Sequence, residues 1–296
     1  YWRGLLLGWQ FGPYELVVPG DVDEIPDCEY QNDIGLTKVT FGEEDHWPPV
    51  RVGSRAFAGC SNISEIVINR DLAMSGDEVF LGCDALTKIV YGVNYPSVRG
   101  YAFRECKNLS DIYVKASSFY FPMSDIAAIT SRRFINLTIV GDSKKILSTG
   151  ITLPFSVKLI LGEGIEEIAS FQFSSCQGLK EITLPSTLRT IGKYAFAYHS
   201  LASINLPEGL MTIDDDAFGS CARLESVTIP STLSRLGFTV FRGVEVEKIS
   251  IAPSNHCYQI EDGVLYGLND GVKRRIVLAS RNLPSDYEIP ATIQTI

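Results

Sequence analysis

The chain has 296 residues, enough for one or two ordinary domains. It is 45% hydrophobic and 21% charged, the balance of a folded soluble protein. A net charge of −9 and a pI near 5.0 exclude general affinity for nucleic acid or anionic membranes, which needs a basic surface.

No apolar run reaches the ~20 residues of a membrane span. Residues Tyr1 to Phe11 are apolar and aromatic, but lack the charged start and cleavage site of a signal peptide. The chain starts without Met, which suggests a processed or trimmed protein.

The dominant feature is a repeat. Ile182-x-Leu184-Pro185-x-x-Leu188-x-x-Ile191-Gly192-x-x-Ala195-Phe196 returns as Ile204-x-Leu206-Pro207-x-x-Leu210-x-x-Ile213-Asp214-x-x-Ala217-Phe218. A unit this short cannot bury its apolar face alone and must stack on copies of itself. The Phe of the Ala-Phe pair serves as marker. It falls at Phe57, Phe80, Phe103, Phe173, Phe196, Phe218 and Phe241, in steps of 23, 23, 70, 23, 22 and 23. The step of 70 leaves room for two degenerate repeats, and Tyr30 holds the marker place before Phe57. About eleven coils result, partial ones included.

Each coil has two parts. Leu-x-x-Ile-x-Ile-Pro, as in Leu179 to Pro185 and Leu224 to Pro230, alternates like a short strand with one buried face. Pro belongs at its end, having no N–H to donate. The second part, Val52 to Cys60 in one coil, reads as a short turn or helical piece that points Phe and Cys inward. Its Gly is expected to permit a turn that other residues resist. Equivalent strands should stack in parallel ~4.8 Å apart, making a ribbon.

In chain order, Glu43 to Pro49 lengthens one turn. From Lys115 to Leu161 the motif nearly dissolves, although strands are expected at Leu137 to Ile139 and Leu159 to Leu161. Ser124 to Arg133 predicts a short helix with Ser124 as N-cap and Ile126 and Ile129 apolar. Residues 254–289 form an insert, in which Asp262 to Leu278 predicts a β-hairpin around Asn269-Asp270-Gly271. Lys273-Arg274-Arg275 reads as its solvated end. Pro290-x-x-Ile293-x-x-Ile296 restarts a coil, so the natural protein is expected to continue.

These motifs resemble the BspA-type, or Treponema pallidum-like, leucine-rich repeat. The Ile182 to Phe196 pattern carries the likeness, with Phe173-x-x-Cys176-x-x-Leu179, Phe218-x-x-Cys221-x-x-Leu224 and the insert Asp262-Gly263-Val264-Leu265-Tyr266. The resemblance implies one right-handed leucine-rich repeat solenoid over residues 1–296, of the α/β class but rich in β, with irregular coils at 115–161. It implies a bacterial surface or secreted protein (some protist surface proteins share the repeat) that binds host molecules or other cells. It implies no enzymatic activity, no catalytic residue and no cofactor.

Of seven cysteines, Cys60, Cys83, Cys106, Cys176 and Cys221 follow the marker by three residues. One thiol per coil reads as core filling, because stacked side chains run parallel and do not aim at each other as a disulfide requires. His199 and Val244 replace Cys in two coils that are each one residue shorter, which suits core filling and not a shared metal or redox site. Cys28 and Cys257 fall outside the series. His46, His199 and His256 lie in separate regions without zinc or triad spacing. Asp214-Asp215-Asp216 reads as a solvated turn, since consecutive Asp residues point different ways and cannot surround an ion. Asn62, Asn108 and Asn136 match the glycosylation sequon, relevant only to a secreting eukaryote.

If the function is binding, the outward ribbon face is its natural place. The alternation puts Lys38 and Thr40, Glu65 and Val67, Lys88 and Val90, and Asp111 and Tyr113 outward. Ser, Thr and Asn dominate the later coils, at Thr183, Ser203, Asn205, Ser226 and Thr228. Glu65, Lys88 and Asp111 alternate in sign down one column, and Val67, Val90 and Tyr113 make an apolar column beside it. With Phe119, Tyr120 and Phe121 these residues form the candidate site for a protein or glycan of a host or neighbouring cell. A substrate-recruiting array of a larger enzyme and a structural stalk are the alternatives, as is a ladder whose β-branched residues merely suit a parallel sheet.

Overall fold

The computed structural model describes residues 12–42, 49–70, 72–74, 76–92, 97–98, 101–115, 135–141, 143–146 and 156–296. It divides into two compact units, Tyr1–Val114 with Tyr120–Ile135, and Lys115–Phe119 with Asn136–Ile296. The expected helix over 124–133 lies outside the described residues.

The first unit alternates two kinds of strand. In order they are β1 (Tyr14–Val18), β2 (Glu24–Ile25), β3 (Leu36–Phe41), β4 (Val50–Val52), β5 (Glu65–Ile68), β6 (Leu72–Met74), β7 (Lys88–Tyr91), β8 (Ser97–Val98) and β9 (Asp111–Lys115). The longer odd-numbered strands pair in parallel as the ribbon. The even-numbered ones, which lead into the turns, make a second parallel ladder. Alternation sets the burial: Ile66 and Ile68 face the core and Glu65 and Val67 face out.

The second unit follows the same plan. Its strands are β10 (Ile135–Val140), β11 (Lys145–Ile146), β12 (Val157–Leu161), β13 (Glu167–Ile168), β14 (Leu179–Thr183), β15 (Thr190–Ile191), β16 (Thr212–Ile213), β17 (Val227–Ile229), β18 (Arg235–Leu236) and β19 (Ile249–Ile251). The ribbon takes β10, β12 and β14, then a lone bridge from Ser203 to Ser226, then β17 with β19. The strands expected at 137–139 and 159–161 are β10 and β12. The ribbon strands up to β14 make about eight regular turns. The architecture is a leucine-rich-repeat-like parallel solenoid. Its helical content among the described residues is one three-residue 3-10 piece, Val246–Lys248.

The marker rings form the core. Tyr30, Phe57, Phe80 and Phe103 stack at 5.1, 5.0 and 5.4 Å, within 8° of parallel. Phe173, Phe196, Phe218 and Phe241 stack at 5.5, 5.5 and 5.9 Å. The spacing is that of the strand ladder, so one coil step places ring on ring at a favourable separation.

The part of each coil around the marker is a run of turns. N–H groups on alternate residues close turns within the coil, as from Ala56 to Gly53 (3.4 Å) and Ala58 to Arg55 (3.0 Å). Those between them cross to the next coil, as from Arg55 to Asp77 (3.0 Å), Phe57 to Val79 (2.9 Å) and Gly59 to Leu81 (2.8 Å). Every such donor is thereby satisfied without a helix. The geometry requires positive φ two residues before and two after each marker: Arg55 (55°) and Gly59 (73°), Glu78 (56°) and Gly82 (68°), Tyr194 (54°) and Tyr198 (60°).

The expected role of the repeat glycine is corrected by this pattern. Gly53, Gly76, Gly192 and Gly237 are not the positive-φ residues. They stand where two coils touch: a Cβ would lie 2.6 Å from Asp27 N, 2.0 Å from Ser54 N, 2.7 Å from Ser170 N and 2.3 Å from Asp215 N, respectively. Close approach, not turn conformation, selects glycine there.

Side chains add a second stitching. The Glu163 carboxylate accepts from Ser186 N (3.0 Å) and Ser186 Oγ (2.9 Å), and Glu208 repeats this on Ser231 N (3.2 Å) and Ser231 Oγ (2.6 Å). Thr187 and Thr232 hydroxyls accept from Gly164 and Gly209 N–H at 3.0 and 2.8 Å. Alternation of Glu-Gly with Ser-Thr thus joins coils in pairs. After Pro253 the Ser-Thr place passes to Asn255. Its buried amide donates to Pro230 O (2.7 Å) and Leu233 O (2.9 Å) and accepts from Cys257 N (2.8 Å) and Tyr258 N (3.1 Å). Asn255→Ala strands four backbone groups and is expected to cost about 1–3 kcal/mol, read as a lower urea midpoint with unchanged slope.

The insert is a three-stranded meander, β20 (Tyr258–Glu261), β21 (Val264–Asn269) and β22 (Val272–Ala279). The hairpin at Asp270-Gly271 is as expected, with positive φ at both residues (49° and 73°), the turn that matches strand twist. Asp262-Gly263 makes a second such turn (49° and 74°), so β20 is an added strand. The meander closes the edge of β18: Tyr258 Oη takes the Leu236 N–H (2.7 Å) and the Arg275 guanidinium donates to Leu236 O (2.6 Å). Arg275 is therefore a structural ligand of the solenoid and not a solvated hairpin charge. Lys273 is also engaged, 2.7 Å from Glu261 and 4.5 Å above the Tyr266 ring. Beyond β22, the restarting coil bridges to it in parallel, Arg275 opposite Thr295.

Candidate functional site

The ribbon of the first unit brings six of the nine candidate residues together. Parallel register places Glu65, Lys88 and Asp111 in one row and Val67, Val90 and Tyr113 in the next. All six are half-buried at the solvent face. Phe119, Tyr120 and Phe121 lie outside the described residues. Lys38 and Thr40 extend both rows by one coil, opposite Glu65 and Val67.

Electrostatically the charged row is self-contained. Glu65 Oε1 meets Lys88 Nζ at 2.8 Å and Oε2 meets Lys38 Nζ at 2.9 Å. Hydrogen bonding to Lys88, then Lys38, holds the Glu65 carboxyl below its ordinary range, and the bond to Glu65 raises the Lys88 ammonium. Lys88 Nζ also lies 5.0 Å from the Tyr113 ring centre, a cation–π contact. Ser110 Oγ donates to Asp111 Oδ2 at 2.5 Å. Pairs this exposed stabilise little. Their effect is to fix long side chains so that Val67, Val90 and Tyr113 present an ordered apolar strip.

The cysteine series is buried and forms no disulfide. Four of its thiols donate to the marker carbonyl of the coil before: Cys60 to Tyr30 O (2.9 Å), Cys83 to Phe57 O (3.3 Å), Cys106 to Phe80 O (3.1 Å), Cys221 to Phe196 O (3.0 Å). Burial pushes the Cys60 and Cys221 thiols up to about 11. Cys83 is raised further, first by its contact with Cys106 and then by burial. Such thiols are poor nucleophiles and poor metal ligands. No group of three or more His, Cys, Asp or Glu fit to hold a metal occurs among the described residues.

The triple aspartate corrects one expectation. Each carboxylate finds a cation: Asp214 with Arg235 (3.5 Å), Asp215 with Lys193 (3.7 Å) and Asp216 with Arg242 (3.2 Å). Asp216 is buried and not solvated, with its carboxylate against the Arg242 guanidinium. The sequons have a structural role too. Asn62 Nδ2 donates to Ile34 O (2.6 Å) and Asn108 Nδ2 to Asp84 O (2.7 Å), so these amides tie coils together.

One group carries no motif of its own in the sequence. Among the described residues, Tyr101, Phe171, Tyr198 and Phe238 are the most exposed aromatic ones and sit on the turn side, not the ribbon. Phe171 stacks on Tyr194 at 5.0 Å, with Lys193 Nζ 5.4 Å from the Tyr194 ring. Aromatic residues two places before or after the marker are the signal that could have found Tyr101, Phe171 and Tyr198; Phe238 stands three places before Phe241.

No described helix is long and apolar enough to cross a membrane. No curated protein matches the chain. Among solved structures, it is similar to a leucine-rich cell surface protein of Faecalibacterium prausnitzii (18% identity, 96% of this chain and 59% of that one, TM-score 0.32). It is similar to the pneumococcal vaccine antigen PcpA (16%, 85% and 73%, TM-score 0.34) and to a T. pallidum leucine-rich repeat protein (17%, 78% and 76%, TM-score 0.26). The model of the BspA-type leucine-rich repeat region matches residues 14–139 and 156–269, in six copies. With the repeat, the stacked marker rings and the parallel ladders in agreement, the chain belongs to the BspA-type leucine-rich repeat family.

Proposed function

We propose that the chain is a cell-surface or secreted adhesion module that binds a protein or glycan partner through the ribbon of its first unit. The observation that carries this reading is the ordered apolar strip Val67, Val90 and Tyr113, flanked by a charged row that neutralises itself. Family membership supports it, since repeat arrays present extended faces to partners without catalytic residues. Because Lys38, Glu65 and Lys88 are already paired, recognition rests on the apolar strip and depends weakly on salt.

The test starts with the purified chain on immobilised extracellular-matrix proteins and on a glycan array. For any partner found, Val90→Glu with Tyr113→Glu is expected to lower affinity at least about tenfold, as loss of a buried hot spot does. Affinity of the parent chain should change little between roughly 0.05 and 0.5 M salt. Undiminished binding by the folded double variant rejects the ribbon as the site.

A further inference from the structure

The Phe196 coil differs from its neighbours in three ways. It is one residue shorter between marker and ribbon, so Leu201 stands where a sixth residue after the marker is usual. The regular ribbon ends at β14, and the next segment keeps only the lone bridge from Ser203 to Ser226. Shortening alone does not break the ribbon, since the equally short Phe241 coil leads into β19, which pairs in register with β17. Third, the Cys place holds His199, 4% exposed, with neither ring nitrogen hydrogen bonded. Ser200 Oγ beside it is also buried without a partner. In the Cys60, Cys83, Cys106 and Cys221 coils the slot holds a thiol that donates to the preceding marker carbonyl. Imidazole fills the volume without reproducing that bond.

We propose that this coil is an acid-sensitive element: protonation of His199 opens the segment from Tyr198 to Leu206 and exposes Leu201 and Ile204, while the neighbouring coils stay folded. The surroundings offer an imidazolium little. Phe196 meets the ring edge-on at 6.4 Å. On the strand side, Lys180 is the charged group that acts on the ring, and it repels a second cation. Glu181 pairs with Lys158 at 3.6 Å. In the following coil, the Cys221 thiol lies against the His199 backbone and is spent on Phe196 O. The Phe173 backbone of the preceding coil is the one group favouring the proton.

The sign follows from the two states. Burial first, and Lys180 second, lower the folded imidazole from 6.5 to about 4. The unfolded segment therefore binds the proton more readily. The stabilisation is fully present above the unfolded value and is lost as pH falls from about 6.5 towards 4. Opening exposes the ring within a segment that has few ribbon bonds to lose, so the opening stays local.

Hydrogen exchange of the intact chain, corrected for intrinsic pH dependence, reads this directly. Amide protection from Tyr198 to Leu206 is expected to fall about 50-fold between pH 7 and about pH 4.5, with little change around Phe218 and Phe241. His199→Val should remove the effect, because Val244 fills the same slot of the other shortened coil. NMR titration of the parent chain should find His199 titrating well below the ordinary imidazole value, at about 4. A pH-independent segment, an equal acid response in His199→Val, or a His199 titrating near the ordinary value would each overturn the proposal. If the variant does not fold, the titration decides alone.

Discussion

Phe80→Ala is expected to lower the stability of the first unit by about 3–5 kcal/mol, the upper range for truncating a buried aromatic residue. The ring is fully buried between Phe57 and Phe103, at 5.0 and 5.4 Å. Its removal loses two stacking interfaces as well as the buried area. Collapse into the gap is blocked, because neighbouring rings hang from backbones held by inter-coil bonds such as Phe57 N to Val79 O (2.9 Å) and Phe80 N to Ala102 O (2.8 Å). In a repeat array such damage acts on nearest neighbours. Urea unfolding with exchange read-out should show the first unit melting early and the Phe173 to Phe241 stack holding. Tyr30→Ala, at a half-buried position with stacking on one described side, should cost clearly less. A loss below ~1 kcal/mol for Phe80→Ala would show that the stack is not the core.

Gly237→Ala should cost about 3 kcal/mol, the high end of overpacking. The added Cβ would lie 2.3 Å from Asp215 N and 2.6 Å from Asp214 C, which are backbone atoms without a rotamer to change. Backing away breaks the Gly237 N bond to Ile213 O (2.7 Å). Gly82→Asn is the contrast. Gly82 has φ +68° and nothing within 4 Å of the would-be Cβ. Asn32 holds the same place two residues after its marker, at φ 61°. Asn tolerates that conformation, so this variant should melt within a few degrees of the parent. Equal losses in the two variants would refute the distinction between the glycines. Both melts are read by far-UV circular dichroism.

The ribbon face is largely legible in the chain. Strict alternation in Glu65–Ile68 and Lys88–Tyr91 assigns inward and outward residues from local pattern alone, because side chains change sides at each residue. Equal spacing then aligns the rows. What the spacing cannot reveal is the Lys38–Glu65–Lys88 chain of contacts, which depends on how long side chains settle. The turn side is less legible. Ala-Phe suggests an inward ring, but nothing local distinguishes a helical piece from stacked turns. The difference lies in where alternate N–H groups go, and half of them go to the next coil. The exposed aromatic residues Phe171 and Tyr198 are hard to foresee for that reason: both stand at positive φ, a conformation these residue types do not advertise.

The repeat length, the marker stack, the ribbon alternation and the hairpin at Asp270-Gly271 are all legible in the residues alone. These depend on period, side-chain polarity and intrinsic turn preference, which are local quantities. Stacking of the coils establishes that Gly53, Gly76, Gly192 and Gly237 serve close approach and that four of the cysteines donate to carbonyls one coil back. It also decides that Arg275 caps β18, that Asp216 is buried, and that His199 sits without a partner where the ribbon breaks. Each of those joins residues some 20 to 40 positions apart. Their energies come from contacts that exist only once coils are stacked, so no single repeat contains them.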